Sequence, residues 1–380
     1  MCPRRAARSS RASAGLLGAS PRGPRFRSFL VLGAGILIGA GILLWESSAE
    51  SRSVTEEDRK GADREIVPKA LSRSYIRQLV SEVNINRLWT SFLRPMLIER
   101  QPGSAGNRLV RELITGHLRS LSSGWTVDLD LFDAPTPRGS LSFGSVVATL
   151  DPSARRRVVV ACHLDSKIFP KDRKGRAFVG ATDSAVPCSL ILEAVTALDT
   201  RLKELKNRGS SLTLQLFFLD GEEAVADWTE TDSLYGARHL AQRLEKTELP
   251  GGGGNQLDAI GLFVLLDLLG AANPLIVNHF SGTRGHFLRL RDLEKRLHGF
   301  DLLQSHPLEN SYFRGDLYYG AVEDDHIPFI RRGVPALHVI STPFPAVWHT
   351  HDDTEENLHR PTIINLCKIL VAFLSETLSL

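Results

Sequence analysis

The sequence predicts an α/β fold with a mixed, mostly parallel central sheet and helices on both faces of it. Short runs such as Val158–Ala161, Leu212–Leu219 and Ile260–Leu266 are almost continuously apolar, which is typical of strands buried on both faces. They alternate with segments whose apolar residues recur with helical period. The 380-residue chain is 42% hydrophobic, which is enough for one large buried core.

The same periods place each helix and strand along the chain. A helix from Ser72 and another over 107–121 keep their apolar residues on one face. The strands over 125–132 and 140–150 alternate apolar and polar residues, so one face of each is expected to be buried. The remaining predicted elements are strand 158–161, helix 185–205, strand 212–219, helix 234–244, strand 260–266, helix 285–297, helix 327–332, strand 336–340 and helix 361–380.

The N-terminal region is predicted to lie outside this fold. Residues 1–28 contain seven Arg and no acidic residue, whereas residues 29–45 are uncharged and apolar. Such a run is at the short end of the roughly 17–25 residues that cross a bilayer, and the Arg before it predict a cytosolic N-terminus. Residues 46–68 are polar and are predicted to form a luminal stalk. Residues 69–380 form the predicted α/β domain.

Two interpretations of the apolar run stay open. We predict a retained signal anchor of a type II membrane protein, and its short length favours a thin membrane early in the secretory route. The alternative is a cleaved signal peptide, because the small residues Ser47–Ala49 follow the run. Without the Arg-rich tail, the chain has more acidic than basic residues. A nucleic-acid partner is therefore not expected.

Two adjacent carboxylates, Glu222 and Glu223, follow the apolar strand that ends at Leu219. Burying such groups costs free energy unless a cation binds them or they take part in proton transfer. One of them can bind a metal ion while its neighbour acts as a general base. This pair is therefore the first candidate for a catalytic site.

Other candidate residues are expected to lie near this pair. His163 and Asp267 also end predicted strands, and the C-terminal strand ends are where α/β sheets form their sites. Asp183 precedes a helix, and His349 lies in a loop rich in proline and aromatic residues. Alone, Asp183 can be a helix N-cap, Glu223 a solvated acid and His349 a structural histidine. Together these three are an acceptable zinc ligand set with a fourth position open.

The cysteines bear on the compartment. Cys2 lies in the predicted cytosolic tail, and Cys162 and Cys188 flank the predicted site. In an oxidising lumen these two are the candidate disulfide pair. The alternative is that they and Cys367 are three buried thiols.

The motifs around these residues resemble the glutaminyl-peptide cyclotransferases, or glutaminyl cyclases, which have a zinc aminopeptidase-like fold. The resemblance extends from about Ser72 to Leu380. The motifs that carry it are Ala161–Lys167, Gly180–Cys188, Phe218–Ala224, Leu266–Leu268, Asp324–Phe329 and Pro343–Thr350.

This resemblance implies one Zn²⁺ per chain, bound by Asp183, Glu223 and His349. It implies that Glu222 is the general acid and base, with Asp267 and Asp324 in a carboxylate hydrogen-bond network beside it. Further implied features are a substrate pocket lined by Trp228, Phe344 and Trp348, and a disulfide between Cys162 and Cys188.

The activity implied by the resemblance is the cyclisation of N-terminal Gln, and more slowly Glu, of peptides and proteins. The product is pyroglutamate, and Gln releases ammonia. The N-terminal anchor resembles that of the membrane-bound, Golgi-resident branch of the family. We therefore expect a Golgi membrane protein with a luminal catalytic domain.

Two other functions stay open. A two-zinc aminopeptidase needs His163, Asp183, Glu223, Asp267 and His349, and all five are present. The aromatic pocket residues favour cyclisation, because a closed pocket excludes the water that a peptidase must admit. A binding protein with a degenerate hydrolase fold is the third hypothesis, and the intact set of acids and histidines argues against it.

Overall fold

A six-stranded mixed sheet forms the centre of the computed structural model, which describes Ile66 and residues 68–306, 309, 311–317, 320 and 322–380. The predicted tail, membrane anchor and nearly all of the stalk lie outside these residues. The strands are β1 (Thr126–Thr136), β2 (Gly139–Thr149), β3 (Arg156–His163), β4 (Leu212–Leu219), β5 (Ile260–Asp267), β6 (Ile276–Val277), β7 (Phe313–Arg314) and β8 (Ala336–Ile340).

The order across the large sheet is β1-β2-β4-β3-β5-β8, and β6 pairs with β7 in a separate small sheet. Strands β4, β3, β5 and β8 pair in parallel, whereas the β1–β2 hairpin joins β4 in antiparallel fashion. The predicted mixed, mostly parallel sheet is confirmed. Its parallel part carries the C-terminal strand ends at which a site was expected.

Helices cover both faces of this sheet, as predicted. They are α1 (Arg73–Ser81), α2 (Ala105–Ser120), α3 (Val186–Ala197), α4 (Asp199–Asn207), α5 (Tyr235–Lys246), α6 (Arg284–Gly299), α7 (Ile327–Ile330) and α8 (Arg360–Leu378). A further helical stretch over 85–96 joins two short α turns through a π-helical segment, Leu88–Leu93.

Side-chain alternation along β4 shows why the sheet is buried on both sides. Leu214, Leu216 and Phe218 belong to the apolar core shared with α3 and α8. Phe217 and Leu219 belong to the second core, formed with α5 and α7. Each fully buried Leu or Phe contributes about 1.5–3 kcal/mol. The two cores therefore bury both faces of the sheet and hold its strands in place.

One predicted helix, 185–205, is two helices in the structure. The bend between them is 64° and occurs at Leu198, whose φ and ψ of −97° and 3° lie outside the regular helical values. Helix α3 is buried almost all round, whereas α4 is amphipathic and buries only Leu202 and Leu205. The bend lets these two side chains reach the core, and periodicity alone does not reveal it.

Helix α8 is long and apolar enough to cross a membrane, but nearly all of it is buried inside the protein. It packs against α3 and belongs to the main core. This is the behaviour of a core helix. The predicted membrane anchor, residues 29–45, lies outside the described residues.

Candidate metal centre and active site

The loops after the four parallel strands bring the candidate residues together. His163 is the last residue of β3, and Asp267 is the last residue of β5. Glu222 and Glu223 follow β4, and His349 follows β8. All five lie at the C-terminal edge of the sheet, where parallel strands form their sites.

A tight turn after β4 directs the two glutamates. Gly221 has φ of +74°, and a Cβ atom there would lie 2.5 Å from the ring of Phe143. Glycine is therefore required at this position. The Asp165 carboxylate accepts hydrogen bonds from the backbone N–H groups of Glu222 at 3.2 Å and Glu223 at 3.3 Å. The loop after β3 thus holds the loop after β4.

Asp183 is presented by a distorted segment, Ala181–Ala185, rather than by a regular helix. Its φ and ψ are −123° and 77°, and it is 3% exposed. Helix α3 begins at Val186, and Ala185 precedes it as the N-cap residue. The alternative that Asp183 is the N-cap of this helix is therefore wrong.

Asp183, Glu223 and His349 form a cluster with the donor set of a metal site. His349 Nε2 lies 3.1 Å from Glu223 Oε1 and 3.3 Å from Asp183 Oδ2. Asp183 Oδ2 is buried, and its contact with His349 is the longer of the two. His349 has φ of +53°, a conformation in which His is over-represented among non-glycine residues. One imidazole and two carboxylates facing an open cleft fit the ligand preference of zinc.

A second cluster shares Asp183 with the first. His163 Nε2 lies 3.0 Å from Asp183 Oδ1 and 3.3 Å from Asp267 Oδ1. The hydroxyl group of Ser184 donates a hydrogen bond to Asp267. Each set of three ligand atoms lies within 4.8 Å of one another. The five residues required by the two-zinc alternative are therefore neighbours in space.

In the first cluster the histidine and the carboxylates stabilise each other's charged forms, whereas burial and the charge of Asp183 raise the pKa of Glu223. Burial alone would lower the pKa of His349, but hydrogen bonds with Asp183 and Glu223 raise it to about 9. Burial alone would raise the pKa of Asp183, but His163 and His349 hold it well below its usual range. The Asp183 carboxylate is therefore strongly biased towards the ionised form that binds cations.

Glu222 differs from its neighbour in its surroundings. It is 7% exposed and lines the cleft next to the first cluster. Burial raises its pKa well above the usual value; His163 opposes the shift, while Glu223 and Asp324 add to it. A carboxyl group whose pKa is raised in this way holds a proton more tightly than an ordinary glutamate, as a general acid and base must.

Asp267 and Asp324 each have their own hydrogen-bond partner rather than forming a direct pair. Asp267 accepts from Ser184, and Asp324 Oδ2 lies 2.7 Å from His338 Nε2. Burial and the nearby charge of Asp324 raise the pKa of Asp267 to about 6. Asp324, His326 and His338 make a third buried cluster, next to the cleft but not lining it.

The cleft in front of the first cluster has a volume of about 470 Å³. Three aromatic side chains predicted as pocket residues line it: Trp228, Phe344 and Trp348. Trp348 stacks on His349 with ring centroids 4.0 Å apart. The ring of Phe344 meets the ring of Trp348 edge-on, with centroids 4.9 Å apart. The indole N–H of Trp228 donates to Glu323 Oε2 at 2.9 Å. Apolar walls thus surround a polar, acidic floor.

Comparisons with known proteins agree with this geometry. Residues 145–374 match the model of peptidase family M28. A glutaminyl-peptide cyclotransferase-like protein of Bos taurus is 56% identical over 311 residues, which cover 82% of this chain and 80% of the relative. A glutaminyl-peptide cyclotransferase of Gloydius blomhoffii is 49% identical over 319 residues, covering 82% and 87%.

This chain belongs to the glutaminyl-peptide cyclotransferase family. The crystal structure of a glutaminyl cyclase from Macrostomum lignano resembles it with a TM-score of 0.73 at 35% sequence identity. The match covers 83% of this chain and 95% of the other. The family resemblance predicted from the motifs is therefore confirmed.

The cysteines of this cyclotransferase-family chain are buried thiols in the structure. Cys162 and Cys188 are neighbours, and the Cys188 thiol donates to the carbonyl oxygen of His163 at 3.1 Å. Cys367 is a third buried thiol. This arrangement matches the alternative of three thiols, and the disulfide between Cys162 and Cys188 stays a prediction.

Sequence reasoning assigned no role to several residues that contact the site. Lys167 Nζ lies 3.0 Å from Glu223 Oε2. Lys167 and Asp165 both belong to the motif Ala161–Lys167, so the sequence carries a signal for both. His338 is a buried polar residue inside an otherwise apolar strand, which is also a usable signal. Arg100 lies in an irregular loop, where neither periodicity nor a motif marks it.

Proposed function

We propose that this chain is a zinc-dependent glutaminyl-peptide cyclotransferase that converts N-terminal Gln of peptides and proteins to pyroglutamate and ammonia. The observation that carries the proposal is the arrangement of Asp183, Glu223 and His349 around one point, with Glu222 beside them in the same cleft. Family membership supports the same reaction.

Asp183, Glu223 and His349 are the proposed zinc ligands, with one ion per chain. A bound Zn²⁺ supplies Lewis-acid polarisation of the γ-amide carbonyl group of the substrate. Asp183 and Glu223 bring negative charge to the site, and Lys167 offsets part of it through its contact with Glu223. All three ligands line the cleft, so a substrate in the cleft would be able to reach an ion held by them.

Glu222 is the proposed general acid and base. It takes a proton from the α-ammonium group, which frees the amine to attack the γ-carbonyl carbon of the same residue. The attack forms a C–N bond that closes the five-membered ring, and Glu222 gives its proton to the amide nitrogen as the old C–N bond breaks and ammonia leaves. The ring nitrogen then passes its second proton to Glu222, which releases it to solvent. Nucleophile and electrophile belong to one residue, so no protein nucleophile is required.

Asp267 and Asp324 are proposed to support Glu222 from behind. Burial and the negative charge of Asp324 favour the protonated form of Glu222, which helps it to hold the proton until the amide nitrogen takes it. Asp324 in turn raises the pKa of Asp267 to about 6, which connects Asp267 with the same group of acids. The aromatic residues Trp228, Phe344 and Trp348 are proposed to fold the Gln side chain and to keep water from the carbonyl carbon. N-terminal Glu is expected to react more slowly, because its carboxylate is a poor electrophile.

The decisive experiment follows a Gln-initiated dipeptide amide and leucine amide with the purified chain, with and without a zinc chelator. We expect ammonia and a pyroglutamyl product in equal amounts from the first substrate, and no leucine from the second. The chelator should abolish the reaction, and added zinc should restore it. Free glutamine or leucine would instead identify an aminopeptidase, and the absence of every product would favour a binding protein.

We also propose the membrane arrangement predicted from the sequence. Residues 1–28 are a cytosolic tail, 29–45 a signal anchor, 46–68 a luminal stalk and 69–380 the catalytic domain on a Golgi membrane. The Arg-rich tail before a short apolar run supports this orientation. The mammalian cyclotransferase-like relative is compatible with it.

This arrangement makes a linked prediction about the cysteines. In sealed Golgi vesicles, added protease should leave residues 69–380 intact, because the lumen protects them.

Without reductant, a proteolytic digest of the protected domain should contain a peptide linking Cys162 to Cys188, whose thiols already lie side by side. Digestion of the domain in sealed vesicles would contradict the topology, and alkylation of both thiols would contradict the disulfide.

A further inference from the structure

Arg100 is a fully buried cation behind the metal centre, with 1% of its surface exposed. Its guanidinium group donates to backbone carbonyl oxygens. Nε donates to Leu164 at 2.9 Å, and Nη2 donates to Gly180 at 2.9 Å and Asp183 at 3.1 Å. Nη1 donates to Met96, Ile98 and Val179. Among the described residues, none of its side-chain hydrogen bonds goes to a carboxylate.

Met96 and Ile98 belong to the segment of Arg100 itself, whereas the other four carbonyl groups belong to the two segments that carry His163 and Asp183. Leu164 directly follows His163, while Gly180 and Asp183 lie in the segment that presents the Asp183 side chain. A Cβ atom on Gly180 would lie 2.1 Å from the carbonyl oxygen of Asp183 and 3.3 Å from Nη2 of Arg100. The glycine therefore leaves the room in which the guanidinium group and these carbonyls meet.

Asp353 also holds this segment. The Asp353 carboxylate accepts a hydrogen bond from Thr182 N–H at 2.8 Å, and its carbonyl accepts one from Ala181 N–H at 3.1 Å. Asp353 lies four residues after His349. Arg100 and Asp353 therefore both hold the backbone of residues 180–183 by hydrogen bonds. Through Leu164 and Asp353, this backbone is connected with the loops that carry His163 and His349.

The charge of Arg100 also suits its place. Burial lowers the pKa of the Arg100 guanidinium group, and the neighbouring Asp183, Asp165 and Asp353 oppose that shift. Removing a buried cation from an acid-rich centre leaves those carboxylates less compensated. Arg100 thus has both a geometric and an electrostatic connection with Asp183.

We propose that Arg100 is a positioning residue for the metal centre: it holds the backbone on both sides of Asp183 so that this carboxylate is preset for zinc. The proposal rests on the zinc ligand set of the proposed function. Ligands need to be held close to their bound geometry by surrounding hydrogen bonds, and removal of such support typically weakens metal binding.

Arg157 offers a matched control within the same chain. It is also buried, at 2% exposure, but it lies at the start of β3, at the opposite end of that strand from His163. Its guanidinium group contacts the side chains of Gln215 and Gln256. Replacing either arginine removes a buried cation, but only Arg100 contacts the segments of the metal centre.

The test measures zinc affinity of the purified chain by competition with a chelator, together with thermal unfolding of the zinc-free protein. Arg100→Met is expected to bind zinc about 10–100-fold more weakly than the wild type. Arg157→Met is expected to unfold at a lower temperature but to keep the wild-type zinc affinity. Wild-type affinity in Arg100→Met, or an equal loss in Arg157→Met, would overturn the proposal.

Arg100→Lys keeps the test decisive if the methionine variant does not fold. Lysine retains the charge but lacks the planar fork that reaches Leu164, Gly180 and Asp183 together. We expect its zinc affinity to lie between those of wild type and Arg100→Met, and wild-type affinity would contradict the positioning role. His349→Ala separates the two hypotheses: unchanged zinc binding in that variant would refute the proposed centre itself, whereas loss there with no loss in the Arg100 variants refutes only the positioning role.

Discussion

Replacing Glu222 with Gln is expected to lower turnover of Gln-initiated peptides by about 10²–10⁴-fold, the usual contribution of a positioned acid–base group. The amide cannot accept the proton of the α-ammonium group. Zinc content should stay at the wild-type level, because the ligands Asp183, Glu223 and His349 are unchanged. Steady-state kinetics and metal analysis of the same preparation check both expectations.

A control for this variant is Glu245→Gln, which changes an exposed carboxylate paired with Arg332. It should keep wild-type turnover, since it lies outside the cleft. Full activity in Glu222→Gln would show that another group moves the proton. Loss of zinc together with activity would show instead that Glu222 supports the metal centre.

The raised pKa of Glu222 also predicts how stability depends on pH. Burial favours its protonated form in the folded zinc-free protein, so the folded state binds this proton more tightly than the unfolded chain. This contribution to stability is present below the unfolded value of about 4.5 and is lost as the pH rises towards the folded value. Glu222→Gln should therefore lose less stability than the wild type between acidic and neutral pH, as denaturant unfolding would measure.

The candidate site could be predicted where a residue conflicts with its surroundings in the sequence. Glu222 and Glu223 follow an apolar strand, and His163 and Asp267 end two others. Charged groups at the ends of buried strands require a function or a partner, so the pattern carries the information. The same reasoning placed these residues at one edge of the sheet, because parallel strands end at the same edge.

Other features depend on backbone hydrogen bonds, which side-chain patterns do not encode. Arg100 acts through the carbonyl groups of Leu164 and Asp183, residues far from it along the chain. The bend at Leu198 separates two segments that are both helical, so the period continues across it. The N-cap interpretation of Asp183 failed for a related reason, since a distorted turn separates it from α3.

Replacing His349 with Ala is expected to remove zinc and, with it, all measurable cyclisation. The imidazole is the one nitrogen donor of the proposed ligand set, and two carboxylates alone leave zinc poorly held. His351→Ala is the matched control, because this half-buried histidine contacts the carbonyl oxygen of Pro170 outside the metal cluster. Zinc content measured after dialysis should fall in the first variant and stay at the wild-type level in the second.

The same measurement decides between one zinc ion and two. If His163 and Asp267 only form ion pairs and hydrogen bonds, the wild type should contain one zinc per chain and His163→Ala should keep it. A two-zinc aminopeptidase would contain two ions, and His163→Ala would lose one of them. Asp183 belongs to both clusters, so Asp183→Asn cannot separate these cases. His163 and His349 can, because each belongs to one cluster alone.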